Sequence, residues 1–212
     1  MDRRGFIAGA GALALSACGT PNASRYASDE AVARAAYRDP GPTALTLFTM
    51  INRRSQAGAH SSLMISGSQR IIFDPAGSVR PDAIATRHDV LFGITPYIAE
   101  FYARAHARRS FYAVIQYHQV SPEVAEKALR LALAEPAAAQ AYCTIKTSGL
   151  LRQLPGFESI NVTWYPDKLA DQFGTFPGTQ TRTLIEDDDD DKSIAISRFD
   201  AQVAQGAQGA GQ

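Results

Sequence analysis

His60-Ser61-Ser62-Leu63-Met64-Ile65-Ser66-Gly67-Ser68-Gln69-Arg70-Ile71-Ile72-Phe73-Asp74 reads as two short strands joined by a turn. His60 to Ile65 is a run of strand-forming residues, Ser66-Gly67-Ser68 supplies the turn, and Arg70 to Phe73 returns. Pro75-Ala76-Gly77 ends the second strand, so His60 to Asp74 is expected to form a hairpin. On the N-terminal side, Ala44 to Ile51 is apolar and rich in strand formers. On the C-terminal side the period changes. Thr95-Pro96 has the form of a capped helix start, with the helix expected to run to about Ala107. Ser110 to His118 alternates apolar and polar groups as a strand does. Ser121-Pro122-Glu123 opens a second capped helix, continued by Ala125, Leu129 and Leu133. A further helix is expected from Tyr142 to about Leu154, closed by Pro155-Gly156, and a short one from Asp167 to Phe173. Strands first and helices in the middle, with no Gly-rich nucleotide loop, indicate an α+β domain.

The expected domain covers residues 43–185. Before it, residues 18–42 are rich in Ala, Ser, Pro and Asp and read as a flexible tether with one short helix around Glu30 to Tyr37. After it, residues 186–212 combine an acidic run, Glu186 to Asp191, with a low-complexity stretch following Phe199. The run reads as a solvated loop and the stretch as disordered.

The N-terminus has the three parts of a cleaved export signal: Arg3 and Arg4, the apolar run from Phe6 to Leu15, and the small-residue site Leu15-Ser16-Ala17-Cys18. An apolar run this short does not span a bilayer, which takes roughly 20 residues. Leu-Ser-Ala-Cys resembles the lipobox of bacterial lipoproteins, in which the cysteine is acylated after residues 1–17 are removed. Asp2-Arg3-Arg4-Gly5-Phe6-Ile7 resembles a twin-arginine signal. The expectation is a periplasm-facing protein of the bacterial cell envelope, anchored to a membrane through lipid on Cys18. Gly19 stands where an aspartate would resemble an inner-membrane retention signal, which points to the outer membrane. About 195 residues remain after cleavage, enough for one domain with a real core. Lys plus Arg and Asp plus Glu both total 21, a balance that gives no indication of a nucleic-acid partner.

Cysteine usage narrows the chemistry. The chain holds only Cys18 and Cys143, and lipidation of the first leaves the second alone in an oxidising compartment. A lone cysteine is either a small buried hydrophobe or a reactive thiol. Cys143 falls in the first turn of a predicted helix, where unpaired N–H groups and the helix dipole favour the thiolate. A thiolate nucleophile needs a base, and the histidines are His60, His88, His106 and His118. His106 lies among Arg104, Arg108 and Arg109 on a helix end expected to face solvent. His88 sits in a loop beside Asp89, and His118 ends a strand as a capping or packing residue. His60 begins a strand after Gly58-Ala59, where small residues leave room for a substrate or another backbone. Chemistry therefore favours His60. Asp74, ending the partner strand, is placed either to orient the imidazole through its far nitrogen or to initiate the turn before Pro75.

The order Ala59-His60-Ser61-Ser62-Leu63-Met64-Ile65, Ile71-Ile72-Phe73-Asp74, a capped helix at Ser121, and Tyr142-Cys143-Thr144 opening the next helix resembles the circularly permuted NlpC-type papain-like cysteine hydrolases. That group includes the lecithin:retinol acyltransferase-like proteins. In its permuted members the histidine strand precedes the cysteine helix. The resemblance spans roughly residues 44–175 and implies a papain-like antiparallel sheet packed against helices. It matches Cys143 to the nucleophile, His60 to the base and Asp74 to the third polar residue. It implies an envelope hydrolase or acyltransferase that cleaves an amide or ester in peptidoglycan peptides or lipids, without metal or organic cofactor. The alternative expectation is a non-catalytic lipoprotein that uses the same fold to bind a partner or a wall component.

Overall fold

The computed structural model describes residues 26–209. The export signal and Cys18 lie outside the described residues. Helix α1 (Asp29–Ala35) is followed by strands β1 (Ala44–Asn52), β2 (Gly58–Ser66), β3 (Arg70–Phe73), β4 (Thr86–Arg87) and β5 (Val90–Phe92). Then come α2 (Pro96–His106), β6 (Phe111–Gln119), α3 (Pro122–Ala134), α4 (Cys143–Leu151), α5 (Pro166–Gly174), β7 (Gln180–Leu184) and α6 (Lys192–Gly209). The seven strands form one sheet in the order β4-β5-β3-β2-β1-β6-β7, and every pairing is antiparallel. The domain is therefore α+β, with helices on both faces of an antiparallel sheet. Among the described residues no helix is long and apolar enough to cross a membrane.

Period-two geometry explains how β1 can be apolar throughout. Leu45 and Leu47 point into one core with Leu63, Ile65, Ile71 and Phe73, packed under α3, α4 and α5 residues such as Leu129, Leu150 and Phe173. Phe48 and Met50 point to the other face, with Ile72 of β3, Tyr102 and Ala105 of α2 and Phe199 of α6. A central strand buried on both sides has no solvated face to alternate against, so it reads as a continuous apolar run. The predicted helix starts are in place: the Thr95 hydroxyl accepts from Ile98 N–H, the Ser121 hydroxyl from Val124 N–H, and a proline follows each cap.

Two expectations are corrected and one is extended. The segment expected as a flexible tether lies along the domain from Ala27 onward: Arg87 donates to the Ala27 carbonyl at 2.6 and 3.0 Å, and Arg70 N–H donates to the Tyr37 carbonyl at 2.6 Å. Arg70 also pairs with Asp39. The acidic run is a solvated loop, as expected, with Asp187 to Asp190 exposed, and it forms a clasp on arginines from other elements. Asp187 meets Arg53 at 2.8 Å, Glu186 pairs with Arg104, Asp188 lies 3.6 Å from Arg108, and Asp190 accepts from the backbone and hydroxyl of Ser110. The low-complexity stretch after Phe199 continues α6 as far as Gly209, since Ala and Gln are good helix formers and Phe199 gives the helix a buried anchor.

Candidate active site

The site is built where β2 loses its neighbour. Strand β3 pairs only with Leu63–Ser66 of β2, so the first half of β2 is unpaired on that side. On its other side, Met50 pairs with His60 and Ile51 with Gly58, leaving Ala59 as a bulge. A bulge adds local twist and re-aims the adjacent side chain, here His60. His60 belongs to the α2 face of the sheet and α4 to the opposite face, and the two meet at this open edge. Gly58 has a related duty: a Cβ there would collide with the backbone of Asp167 and with Pro166, at the start of α5. The small residue makes room for another backbone.

Helix α4 approaches β2 closely because its inner face is small and polar. Thr144, Thr147 and Ser148 are fully buried, as are Ser61 and Ser62 on the strand. The Ser61 and Thr144 hydroxyls are hydrogen-bonded at 3.1 Å. Ser148 returns its hydroxyl to the Thr144 carbonyl at 2.6 Å and accepts from Thr163 N–H at 3.2 Å, which ties the following loop to the helix. That loop presents Trp164 edge-on to Tyr142, with ring centres 4.8 Å apart, and both rings are exposed beside Cys143. Two residues before the thiol, Ala141 adopts a left-handed conformation with φ of 69°. A non-glycine residue held there costs on the order of 1–3 kcal/mol, a strain the surroundings must sustain. Helix α4 has no side-chain N-cap, so no side chain occupies the N–H groups of its first turn.

The structure brings Cys143, His60 and Asp74 together. The thiol is close enough to His60 and to the Ser61 backbone for both to act on its pKa, and its sulfur is 3.7 Å from the Thr144 hydroxyl. His60 Nε2 is 2.6 Å from Asp74 Oδ1, leaving Nδ1 as the ring nitrogen free to serve the thiol. Asp74 is wholly buried and each of its oxygens is occupied. Oδ1 also accepts from the Tyr102 hydroxyl at 2.8 Å, and Oδ2 accepts from Arg80 at 2.6 Å. The Tyr102 and Ser62 hydroxyls are 2.8 Å apart. Arg80 in turn donates to the Asp74 carbonyl at 2.9 Å and to Asp89 Oδ1 at 3.3 Å. The other Asp89 oxygen accepts from Ala76 N–H and from Ala138 N–H, at 3.2 and 2.7 Å. One carboxylate thus joins the loop after Asp74 to the segment leading into Cys143.

Electrostatics follow from these contacts. Burial alone would lower the His60 pKa, but the charge and hydrogen bond of Asp74, with a smaller contribution from Cys143, push it up to about 9. Burial alone would raise the Cys143 pKa. His60, through hydrogen bond and charge, with Ser61 N–H and Thr144, brings it down to about 7. The thiol is then the stronger acid of the two, so an ion pair of thiolate and imidazolium is favoured between those values. Burial works against the Asp74 charge, yet His60 and Arg80 hold its carboxyl far below the usual carboxylate range.

The remaining histidines divide differently from expectation. His118 packs among Phe157, Phe173 and Phe176, as a packing residue does. His88 lies tilted against Tyr26 in a loop, with ring centres 5.1 Å apart. His106, expected to face solvent, is instead 1% exposed and lies parallel to His60 with ring centres 5.8 Å apart. It shares the buried stripe of α2 with Tyr102, Ala103 and Ala105, while the arginines around it turn to the acidic clasp. Its Nδ1 donates to the Tyr102 carbonyl at 2.9 Å. Sequence reasoning missed Tyr102, Arg80 and Ser61. No local pattern marks the first two, because their partner Asp74 is reached only through tertiary packing. Comparison with protein-family models, with curated proteins and with solved structures found no match for the chain.

Proposed function

We propose that this chain is a membrane-anchored envelope cysteine hydrolase or acyltransferase of papain-like type, acting on an amide or ester bond in peptidoglycan peptides or lipids. The observation that carries the reading is the line Cys143, His60, Asp74, with a lowered thiol pKa, a raised imidazole pKa and a buried carboxylate on the far ring nitrogen. A helix-start thiol set against a histidine strand of an antiparallel sheet supports the papain-like assignment.

In the proposed reaction the Cys143 thiolate attacks the carbonyl carbon and the carbonyl π electrons move onto oxygen. Free N–H groups of the first turn of α4 stabilise that oxyanion. As the intermediate collapses, the bond to the leaving amine or alcohol breaks, and His60 gives it the proton. The acyl-enzyme is then attacked by water or by an acceptor amine or hydroxyl, whose proton His60 takes, and the C–S bond breaks to return the Cys143 thiolate. Asp74 keeps the imidazole in the correct orientation and stabilises its charged form. Trp164 and Tyr142 flank the thiol as exposed apolar surface for the acyl side of a substrate.

The test is the rate of Cys143 alkylation by iodoacetamide against pH in the soluble chain starting after Cys18, with His60→Ala beside it. Purified sacculi and lipid extracts are then incubated in parallel, and acyl adducts on Cys143 are sought by mass spectrometry. A thiol that titrates near 7, and shifts upward without His60, agrees with the proposal. A thiol indifferent to His60 would leave the non-catalytic binding lipoprotein as the reading.

A further inference from the structure

A cavity of about 240 Å3 adjoins the His60 ring and is not lined by Cys143. Its wall includes Met50, His60, Ser78, His106, Phe111 and Lys192. Ser78 is exposed, so the cavity opens to solvent at that point. Lys192 is the first residue of α6, carried to this position by the acidic clasp and by Phe199. Its ammonium donates to the Ser78 hydroxyl at 3.0 Å. Among the described residues no carboxylate lies within ion-pairing distance of it, although burial makes its charge costly. Asp74, the buried carboxylate whose charge acts on Lys192, is occupied on both oxygens by His60, Tyr102 and Arg80. An ammonium has three N–H donors, and a single hydroxyl leaves two of them for a ligand.

The wall adds a second observation. His106 donates through Nδ1, so its Nε2 carries no proton in the neutral ring, and that buried nitrogen has no hydrogen-bond partner. An unpartnered polar atom at this depth is costly. A monoanion held by Lys192 answers the first of these deficits. It neutralises the unpaired ammonium and brings a polar group against the His106 wall. A single cation with one hydroxyl matches a singly charged group rather than a dianion.

We infer that this cavity is a carboxylate-binding site, formed by Lys192 and Ser78 against the wall of His106. The ligand is a small free acid or the carboxylate end of a peptide. The inference goes beyond the hydrolase reading and does not depend on the chemistry of Cys143.

The protein is labelled in its histidines and followed by NMR at constant ionic strength and pH. Burial and then the Lys192 charge hold the His106 pKa down to about 3, so an anion at Lys192 relieves the second of these. Acetate is expected to shift the His106 ring signals saturably, because the ring lines the cavity, while chloride does not. Lys192→Met abolishes the saturable shift, and Ser78→Ala weakens acetate binding roughly 2- to 10-fold, as loss of one hydrogen bond does. Dialanine saturating at lower concentration than acetate, with dialaninamide inactive, assigns the carboxylate to a peptide end. Acetate binding better than dialanine assigns it to a free acid. A shift produced equally by acetamide, or by inorganic phosphate alone, or no shift with any probe, overturns the inference. Because Cys143 alkylation is not the readout, failure here leaves the proposed hydrolase standing, and the reverse also holds.

Discussion

Asp74 Oδ1 sits 2.6 Å from His60 Nε2 while Asp74 Oδ2 sits 2.6 Å from Arg80, so one buried carboxylate is shared between a titratable base and a permanent cation. Arg80 allows the carboxylate to stay charged where it has no contact with solvent, and the charge in turn raises the pKa of His60. Asp74→Asn keeps the shape and removes that charge. Burial then governs His60, whose pKa falls below its ordinary value, and the thiol loses the imidazolium that lowered it. The expected result is a Cys143 titration moved back towards the ~8.5 of a free cysteine. An alkylation profile left in place would show that Asp74 does not act through His60.

Turnover and alkylation should part company with pH. The thiolate forms as pH rises through about 7, and the imidazolium that protonates a leaving group is lost as pH rises through about 9. Both steps belong to the coupled pair rather than to either residue alone. Hydrolysis of an amide should therefore give a bell bounded by these two values. Alkylation, which needs only the thiolate, should rise through the first and not fall at the second. A hydrolysis rate that keeps climbing above pH 9 would remove His60 from the role of general acid.

Two glycines offer an internal control on the geometry around Asp74. A Cβ on Gly77 would overlap the Asp74 carboxylate, whereas a Cβ on Gly149, within α4, meets nothing within 4 Å. Gly149→Ala is expected to stabilise the fold by about 0.5–1 kcal/mol, the usual gain inside a helix. Gly77→Ala is expected to destabilise it by about 1–3 kcal/mol, as overpacking does, and to blunt the His60-dependent shift of the thiol. Urea unfolding of the two variants measures both signs, and equal effects would contradict the packing described.

Helix α6 is expected to be part of the cooperative unit. Phe199 is 3% exposed and stacks on Phe101 at 3.9 Å between ring centres, with Tyr97 on its other flank at 5.8 Å. Phe199→Ala should cost roughly 3–5 kcal/mol, the range for emptying an aromatic site in a core. Hydrogen exchange of α2 amides reads the same effect locally, since α2 and α6 pack together. An unchanged midpoint and unchanged exchange would return residues 192–209 to the status of a tail.

The elements that build the site were legible in short-range patterns. Alternation and turn residues mark the hairpin from His60 to Asp74, capping residues mark α2 and α3, and helical spacing with Pro155-Gly156 beyond it marks α4. Strands β4, β5 and β7 were not legible. The first two have two and three residues, and Gln-Thr-Arg-Thr-Leu of β7 is largely exposed, so only pairing with β5, β3 or β6 makes them strands.

The sequence by itself determined the types of groups present and their local frames: one thiol at a helix start, one histidine entering a strand and one aspartate leaving its partner strand. Those follow from periodicity, caps and turns, which act over a few residues. Tertiary structure alone decided which of them meet. The early end of β3, the Ala59 bulge and the small inner face of α4 let groups from opposite faces of the sheet converge at one edge. It also decided that Tyr102 and Arg80 complete the carboxylate, that His106 is buried, and that the acidic run binds arginines. Each of these is a long-range pairing of charge or hydrogen bond, set by where whole elements pack and not by any pattern within one of them.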